Sequence, residues 1–159
     1  MEKATFAAGC FWGVEAAFRR LPGVSATAVG YEGGTLDNPS YERVCNGDTG
    51  HAEAVQVEFD PVQVSYKELV RLFFSIHDPT TMNRQGPDFG SQYRSAIFVH
   101  SPAQRQLAEQ VIADIAPKLE RPIVTQVTPA TTFWMGEEYH QRYFEKQGVE
   151  PTCAIPTKP

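Results

Sequence analysis

The sequence predicts a mixed α/β (α+β) fold: a two-layer sandwich whose mixed sheet is built on a ferredoxin-like split βαβ core. Three observations carry this prediction. Val55, Val57 and Phe59 alternate with Ala54, Gln56 and Glu58, the period of a half-buried strand. Ser65-Tyr66-Lys67-Glu68 is a capping box, and Leu69, Leu72, Phe73 and Ile76 follow at the spacing of a one-sided helix. The chain has 159 residues, 42% hydrophobic and 21% charged, which suits one buried core and excludes a disordered, collagenous or coiled-coil chain.

From the N-terminus, residues 3–8 read as a strand, Gly9 as the break after it, and residues 11–20 as a helix that stops at Leu21-Pro22-Gly23. Residues 24–30 form a second strand, completing a βαβ unit. Residues 31–51 carry Gly33-Gly34, Asn38-Pro39, Asn46-Gly47 and Gly50 without a sustained period and are expected to be a loop. The strand at 53–59 and the capped helix follow. A second long loop, 77–94, precedes an apolar strand at 95–100. Ser101-Pro102 opens another helix, with serine as cap and proline in the first turn, which carries Leu107, Val111 and Ile115 and halts at Pro117. Residues 123–128 predict a fifth strand, and residues 137–147 a last helix closed by Gly148. Residues 1–148 are therefore expected to form a single catalytic domain, and 149–159 a flexible C-terminal tail carrying Cys153. Two loops of this length in so small a domain point to function.

Charge and composition narrow the function. The net charge is −5 and no basic run exceeds Arg19-Arg20, so nucleic acid is not an expected partner. No apolar stretch is long enough to span a membrane, and a cytoplasmic protein is expected. Ala7-Ala8-Gly9-Cys10 has the look of a lipoprotein cleavage site, but too few residues precede the cysteine for a signal helix. Three scattered cysteines, Cys10, Cys45 and Cys153, are a poor disulfide framework, and their odd number suggests a reactive thiol. The histidines show no zinc-site spacing with them, so no metal is expected; with neither a P-loop nor a dinucleotide fingerprint, no bound cofactor is expected either.

Cys10 stands at a strand-to-helix junction, where unpaired backbone N–H groups favour an anion and enrich the thiolate. It is the leading nucleophile candidate, the alternative being an inert buried cysteine. Phe11 and Trp12 beside it form an apolar cup or are ordinary core. Glu53 shares parity with Val55, Val57 and Phe59 and so faces the apolar side, unless it turns outward at the strand end. Keeping its carboxyl neutral at pH 7 takes about 4 kcal/mol of differential interaction, which burial supplies. A thiolate paired with a neutral acid suits reduction at an oxygen-bearing sulfur, because the departing oxygen must receive a proton. Tyr41 in the first loop, with Asp88 and Tyr93 in the second, brings hydrogen-bonding groups to such a pocket, or else these are surface residues. A second thiol, Cys45 or Cys153, would condense with a sulfenic acid on Cys10. Two other classes remain open on the residues alone: a thiol hydrolase with Glu53 as base, and a binding module whose aromatic cup holds a methyl-bearing side chain.

Gly9-Cys10-Phe11-Trp12-Gly13-Val14-Glu15, together with the block from Cys45 to Val55 and Gln92-Tyr93-Arg94-Ser95-Ala96-Ile97, resembles the A-type peptide methionine sulfoxide reductases over residues 5–147. The resemblance implies a two-layer α/β sandwich around a mixed sheet. It implies reduction of the S epimer of methionine sulfoxide, free or in proteins, with thioredoxin as the reductant and dithiothreitol its substitute in vitro. Matched position by position, Cys10 resembles the family nucleophile, Phe11 and Trp12 the walls that receive the S-methyl group, and Glu53 the proton donor to the sulfoxide oxygen. Tyr41, Asp88 and Tyr93 match the groups that orient the substrate, and Cys153 resembles a recycling cysteine. Some relatives have a glycine-rich tail with two recycling cysteines; this tail has one cysteine and several prolines, which implies a single Cys10–Cys153 bridge. Cys45 lies in a matching block without a catalytic role there and is expected to be structural.

Overall fold

A computed structural model describes residues 1–147. Its centre is a six-stranded mixed sheet built from β1 (Glu2–Ala8), β2 (Val24–Glu32), β3 (Ala52–Phe59), β6 (Ser95–Val99), β7 (Gln126–Pro129) and β8 (Trp134–Met135), in the order β7-β6-β1-β3-β2-β8. A separate hairpin pairs β4 (Arg84–Gln85) with β5 (Asp88–Phe89). The helices are α1 (Phe11–Arg19), α2 (Tyr41–Cys45), α3 (Tyr66–Ser75), α4 (Pro102–Ile115) and α5 (Tyr143–Gln147). β3 is antiparallel to both β1 and β2, so these two run parallel on either side of it, joined through α1. β1 is likewise antiparallel to β3 and β6, which makes β3 and β6 parallel on either side of β1, joined through α3.

Strand alternation decides what each face buries. Phe6, Val29, Tyr31, Val55, Val57, Phe59 and Ile97 pack in one cluster with Phe18 of α1, Leu69 and Phe73 of α3, and Val111 of α4. The Phe6 ring is its pivot, stacked on Phe18 at 5.0 Å and lying 5.3 Å from Phe73. The opposite face presents small side chains, Ala7, Ala52, Ala54 and Ala96, with Phe98, and is covered by Ala130 and Phe133. β8 passes so close that a Cβ on Gly30 would lie 2.3 Å from the Trp134 carbonyl oxygen, which only glycine avoids.

The serine half of the capping box is realised: the Ser65 hydroxyl accepts the Glu68 backbone N–H at 3.1 Å, and Tyr66–Ser75 is helical with Leu69, Val70 and Phe73 inward. Ser101 accepts the Gln104 N–H in the same way, with Pro102 in the first turn of α4. Several expectations need correction. Residues 31–51 are not all loop, because β2 continues to Glu32 and Tyr41–Cys45 is a helix capped by Ser40. Residues 77–94 contain the β4–β5 hairpin and a tight helical turn at Ser91–Tyr93. The fifth strand begins later than 123; the Val124 N–H instead donates to the Pro79 carbonyl at 2.8 Å, and pairing starts at Gln126. The single helix expected at 137–147 is a turn at Glu138–His140, then Arg142 at φ +51°, then α5. Tertiary bonds break it: the Glu15 carboxylate takes the Arg142 N–H at 2.6 Å, and the Gln141 side chain pairs with both the N–H and the carbonyl of Val29. β8 was not foreseen at all. The tail at 149–159 lies outside the described residues. Among the described residues, no helix is long and apolar enough to cross a membrane.

Candidate active site

β1 ends at Ala8, and the chain turns into α1 through Gly9 at φ +94°, where a Cβ would lie 2.8 Å from the Gln85 side chain. Cys10 therefore occupies the position just before the first helical residue, and its side chain caps nothing. The thiol is 1% exposed. Burial, reinforced by Glu53, pushes it well above its ordinary value, while the backbone N–H groups of Trp12 and Gly13 pull the other way without prevailing. The expected acidification by the helix start is thus outweighed, because that expectation took no account of how deeply the sulfur is buried.

Glu53 lies in β3 opposite Tyr31, on the helix-covered face as its parity predicts. It is fully buried, and its Oε1 accepts the Phe11 N–H at 3.3 Å. Phe11 follows Cys10, so this bond draws the carboxyl to the thiol. Oε2 is buried with no hydrogen-bond partner among the described residues. Burial raises the Glu53 pKa far above the ordinary carboxylate range; the Phe11 N–H opposes this and Asp88 adds to it. Burial thus favours the protonated form of the carboxyl.

Asp88, on the buried side of β5, acts on both Cys10 and Glu53. Tyr93 is also buried; burial first, then Glu53, Cys45, Asp88 and Cys10, push its phenol above the ordinary value and favour the protonated form. Tyr41 opens α2, half-buried, with its hydroxyl against Cys45. Phe11 lies 5.8 Å from the Tyr31 ring and 5.1 Å from His140. Trp12 is partly exposed and stacks on Tyr143 at 3.5 Å. The structure thus brings together Cys10, Phe11, Trp12, Glu53, Asp88 and Tyr93, with Tyr41 beside them. Cys153 lies outside the described residues.

Four residues that sequence reasoning missed complete the surroundings. Glu137 accepts the Tyr31 hydroxyl at 2.7 Å and the Tyr41 backbone N–H at 2.9 Å, tying α2 to β2. His140 is buried; its Nδ1 accepts the Trp12 indole N–H at 3.0 Å, and its ring is 4.6 Å from that of Tyr41. With Tyr31 and Tyr143 they form the outer wall. The signal available was the aromatic and acidic density from Trp134 to Tyr143, which as an amphipathic pattern reads simply as a helix. His51, within the second matching block, holds the backbone rather than the site. Its Nδ1 accepts the Gly34 N–H at 3.0 Å and its Nε2 bonds the Leu36 carbonyl at 2.7 Å, fastening the loop after β2. Cys45 is half-buried, with the Tyr41 hydroxyl against it. Among the described residues no group of three histidine, cysteine or acidic side chains is placed to hold a metal ion.

The chain as a whole is similar to known proteins. The family model of peptide methionine sulfoxide reductase matches residues 2–159. The chain is 58% identical to the peptide methionine sulfoxide reductase MsrA of Acidobacterium capsulatum over 157 residues, covering 98% of this chain and 100% of the relative. Among solved structures, the reduced form of Mxr1 from Saccharomyces cerevisiae superposes with a TM-score of 0.89 at 40% identity, covering 96% of this chain and 88% of that one. Mxr1 in complex with Trx2 aligns with a TM-score of 0.64 at 29% identity, over 89% of this chain and 84% of that one.

Proposed function

The chain belongs to the peptide methionine sulfoxide reductase family and is an oxidoreductase that reduces methionine sulfoxide, and on that premise we propose the following mechanism, with the S epimer, free or within a polypeptide, as substrate. The S-methyl group enters between Phe11 and Trp12, while Tyr41, Asp88 and Tyr93 orient the sulfoxide. The Cys10 sulfur attacks the substrate sulfur as Glu53 gives its proton to the oxygen. The bond from oxygen to the substrate sulfur breaks, oxygen ends on Cys10 as a sulfenic acid, and methionine leaves; the proton that Cys10 gave up restores the carboxyl. Cys153 then attacks the sulfenic sulfur, water departs, and a Cys10–Cys153 disulfide forms. Thioredoxin reduces it, as dithiothreitol does in vitro, and no bound cofactor takes part. We place the enzyme in the cytoplasm, where thiols are kept reduced.

One observation carries this reading: a fully buried carboxyl, with one oxygen that has no partner among the described residues, held by the N–H of the residue after the buried thiol. A hydrolase would require an ionised carboxylate or a free imidazole beside Cys10. Burial instead favours the neutral form of Glu53, and because His140 Nδ1 accepts the Trp12 indole N–H, the ring proton sits on Nε2 and no basic nitrogen is left. The test uses the two resolved sulfoxide epimers with dithiothreitol and with thioredoxin. The S epimer alone is expected to turn over, and Cys153→Ser is expected to release about one methionine per enzyme before stalling under thioredoxin. Turnover of the R epimer, or an undiminished Cys153→Ser rate with thioredoxin, rejects the corresponding step.

A further inference from the structure

We infer that Gln85 is a positioning residue for the methionine-forming step: its side chain ties both the Gly9–Cys10 turn and the strand carrying Asp88 to one rigid support, and so sets how the thiol meets Glu53. This rests on the reading of the Cys10 site given above and adds to it a residue that touches no reacting atom.

Gln85 lies in β4, and its registered partner across the hairpin is Asp88. Its amide closes two hydrogen bonds on the backbone of a single residue: Oε1 accepts the Asp78 N–H at 2.8 Å, and Nε2 donates to the Asp78 carbonyl at 2.9 Å. Only one orientation of the amide satisfies both, so the direction of the aliphatic stem is fixed. The stem runs against Gly9. A Cβ there would lie 2.8 Å from the Gln85 Cγ and 2.9 Å from its Cβ, so the backbone one residue before the thiol rests directly on these two carbons.

The support is itself anchored. Beside Asp78, His77 Nδ1 bonds the Phe73 carbonyl of α3 at 2.7 Å, and a ring nitrogen facing a carbonyl oxygen carries the proton. Nε2 is then the acceptor for the Ser95 hydroxyl at 2.7 Å, and Ser95 is registered with Ala8, the last residue of β1. The Asp78 carboxylate accepts the Thr80 N–H at 2.9 Å, which closes the turn after it. Helix α3 and strand β6 thus hold the residue that Gln85 grips. Two groups take their places from that grip: Cys10 through Gly9, and Asp88 through the hairpin. Asp88 in turn acts on both Cys10 and Glu53.

The experiment measures methionine released in a single turnover from the S sulfoxide, across substrate concentration and pH, in the unmodified chain, Gln85→Met and Gln85→Ala. The first variant keeps an unbranched stem against Gly9 and loses both amide bonds; the second loses stem and bonds. The saturating rate is expected to fall five- to tenfold in Gln85→Met and further in Gln85→Ala, with the concentration for half-maximal rate unchanged within twofold. Because Asp88 helps to raise the Glu53 pKa, releasing the hairpin should also move the falling high-pH limb of the rate to lower pH. Gln85→Met preserves the packing and decides the question even where Gln85→Ala does not fold. A Gln85→Met rate within twofold of the unmodified chain overturns the inference. So does a loss confined to half-saturation, which would place Gln85 at the substrate, or a loss with the limb unmoved, the mark of a purely structural role. An unmodified chain that forms no methionine from the S epimer breaks the reading of the Cys10 site, and the role of Gln85 falls with it; a working enzyme with indifferent Gln85 variants breaks the positioning role alone.

Discussion

Two glutamates sit one position apart across neighbouring strands, on opposite faces of the sheet. Glu53 of β3 is registered with Tyr31, and Glu32 of β2 with Ala52. Both are fully buried. Each accepts a single backbone N–H, from Phe11 at 3.3 Å and from Thr131 at 3.0 Å, and each leaves its other oxygen without a partner among the described residues. Burial raises both pKa values. As isolated carboxyls they are nearly the same object. They differ in company: Glu53 faces Cys10, Asp88 and Tyr93 at the start of α1, whereas Glu32 lies on the alanine-rich face beneath the segment at 130–133. Burial favours the protonated form of both carboxyls, and in the mechanism proposed above it is the thiol beside Glu53 that puts its proton to use.

The strongest way to break the comparison is to remove the proton from Glu53 while keeping its shape. Glu53→Gln retains an oxygen for the Phe11 N–H but offers no acidic hydrogen. The methionine-forming step is expected to slow by about 10² or more, the scale of a lost general acid, measured as methionine released in a single turnover. The pH profile sharpens this. A carboxyl whose pKa is raised in the folded protein stays protonated above the ordinary carboxylate range, so the first step should slow as pH rises through that elevated value. In Glu53→Gln that falling limb should be absent; a limb that persists assigns it to another group.

How much of this was visible in the sequence depends on whether the deciding interaction is local. Parity along residues 53–59 placed Glu53 on the apolar face, since a strand's period needs no knowledge of its partners. The capping box at Ser65 and the junction at Cys10 were legible for the same reason. The five-residue helix Tyr41–Cys45 is too short to display a period. Glu137 and His140 were hidden inside an apparent helix that contacts 127 residues away in sequence, from Glu15 to Arg142, break into two pieces. The pKa of Cys10 was misjudged because a helix start is written locally, whereas burial is a property of the assembled core.

A smaller effect is expected at Glu137, a carboxylate with no spare oxygen. Burial pushes its pKa up, but the Tyr41 N–H and the Tyr31 hydroxyl outweigh this and hold it below the ordinary value. In Glu137→Gln the amide nitrogen must face one of these donors, which loosens Tyr41 without touching Cys10 or Glu53. Steady-state kinetics are expected to show kcat/KM down about tenfold, the order of one lost hydrogen bond to a charged group, carried mainly by KM. A fall confined to kcat would place Glu137 in the chemistry instead.

Glu32 should leave turnover alone and show itself only in stability. Its pKa rises from 4.5 to about 7, so between these values the folded chain holds a proton that the unfolded chain has lost. The contribution of Glu32 to stability is then greatest below pH 4.5, declines as pH rises through this window, and levels off above pH 7. At about 1.4 kcal/mol per pH unit the decline has an upper bound of about 3 kcal/mol, reduced by whatever water reaches the second oxygen. Glu32→Gln keeps an acceptor for the Thr131 N–H and cannot ionise. Urea unfolding from pH 4 to 8 should find the variant more stable than the unmodified chain at pH 8, with the difference closing toward pH 4 and activity within about twofold. Glu53 and Glu15 also have raised pKa values and contribute slopes of the same sign, but both are present in the two proteins, so the difference between the curves belongs to Glu32. Parallel curves would mean that the back-face carboxyl is already solvated, and that its likeness to Glu53 ends at burial.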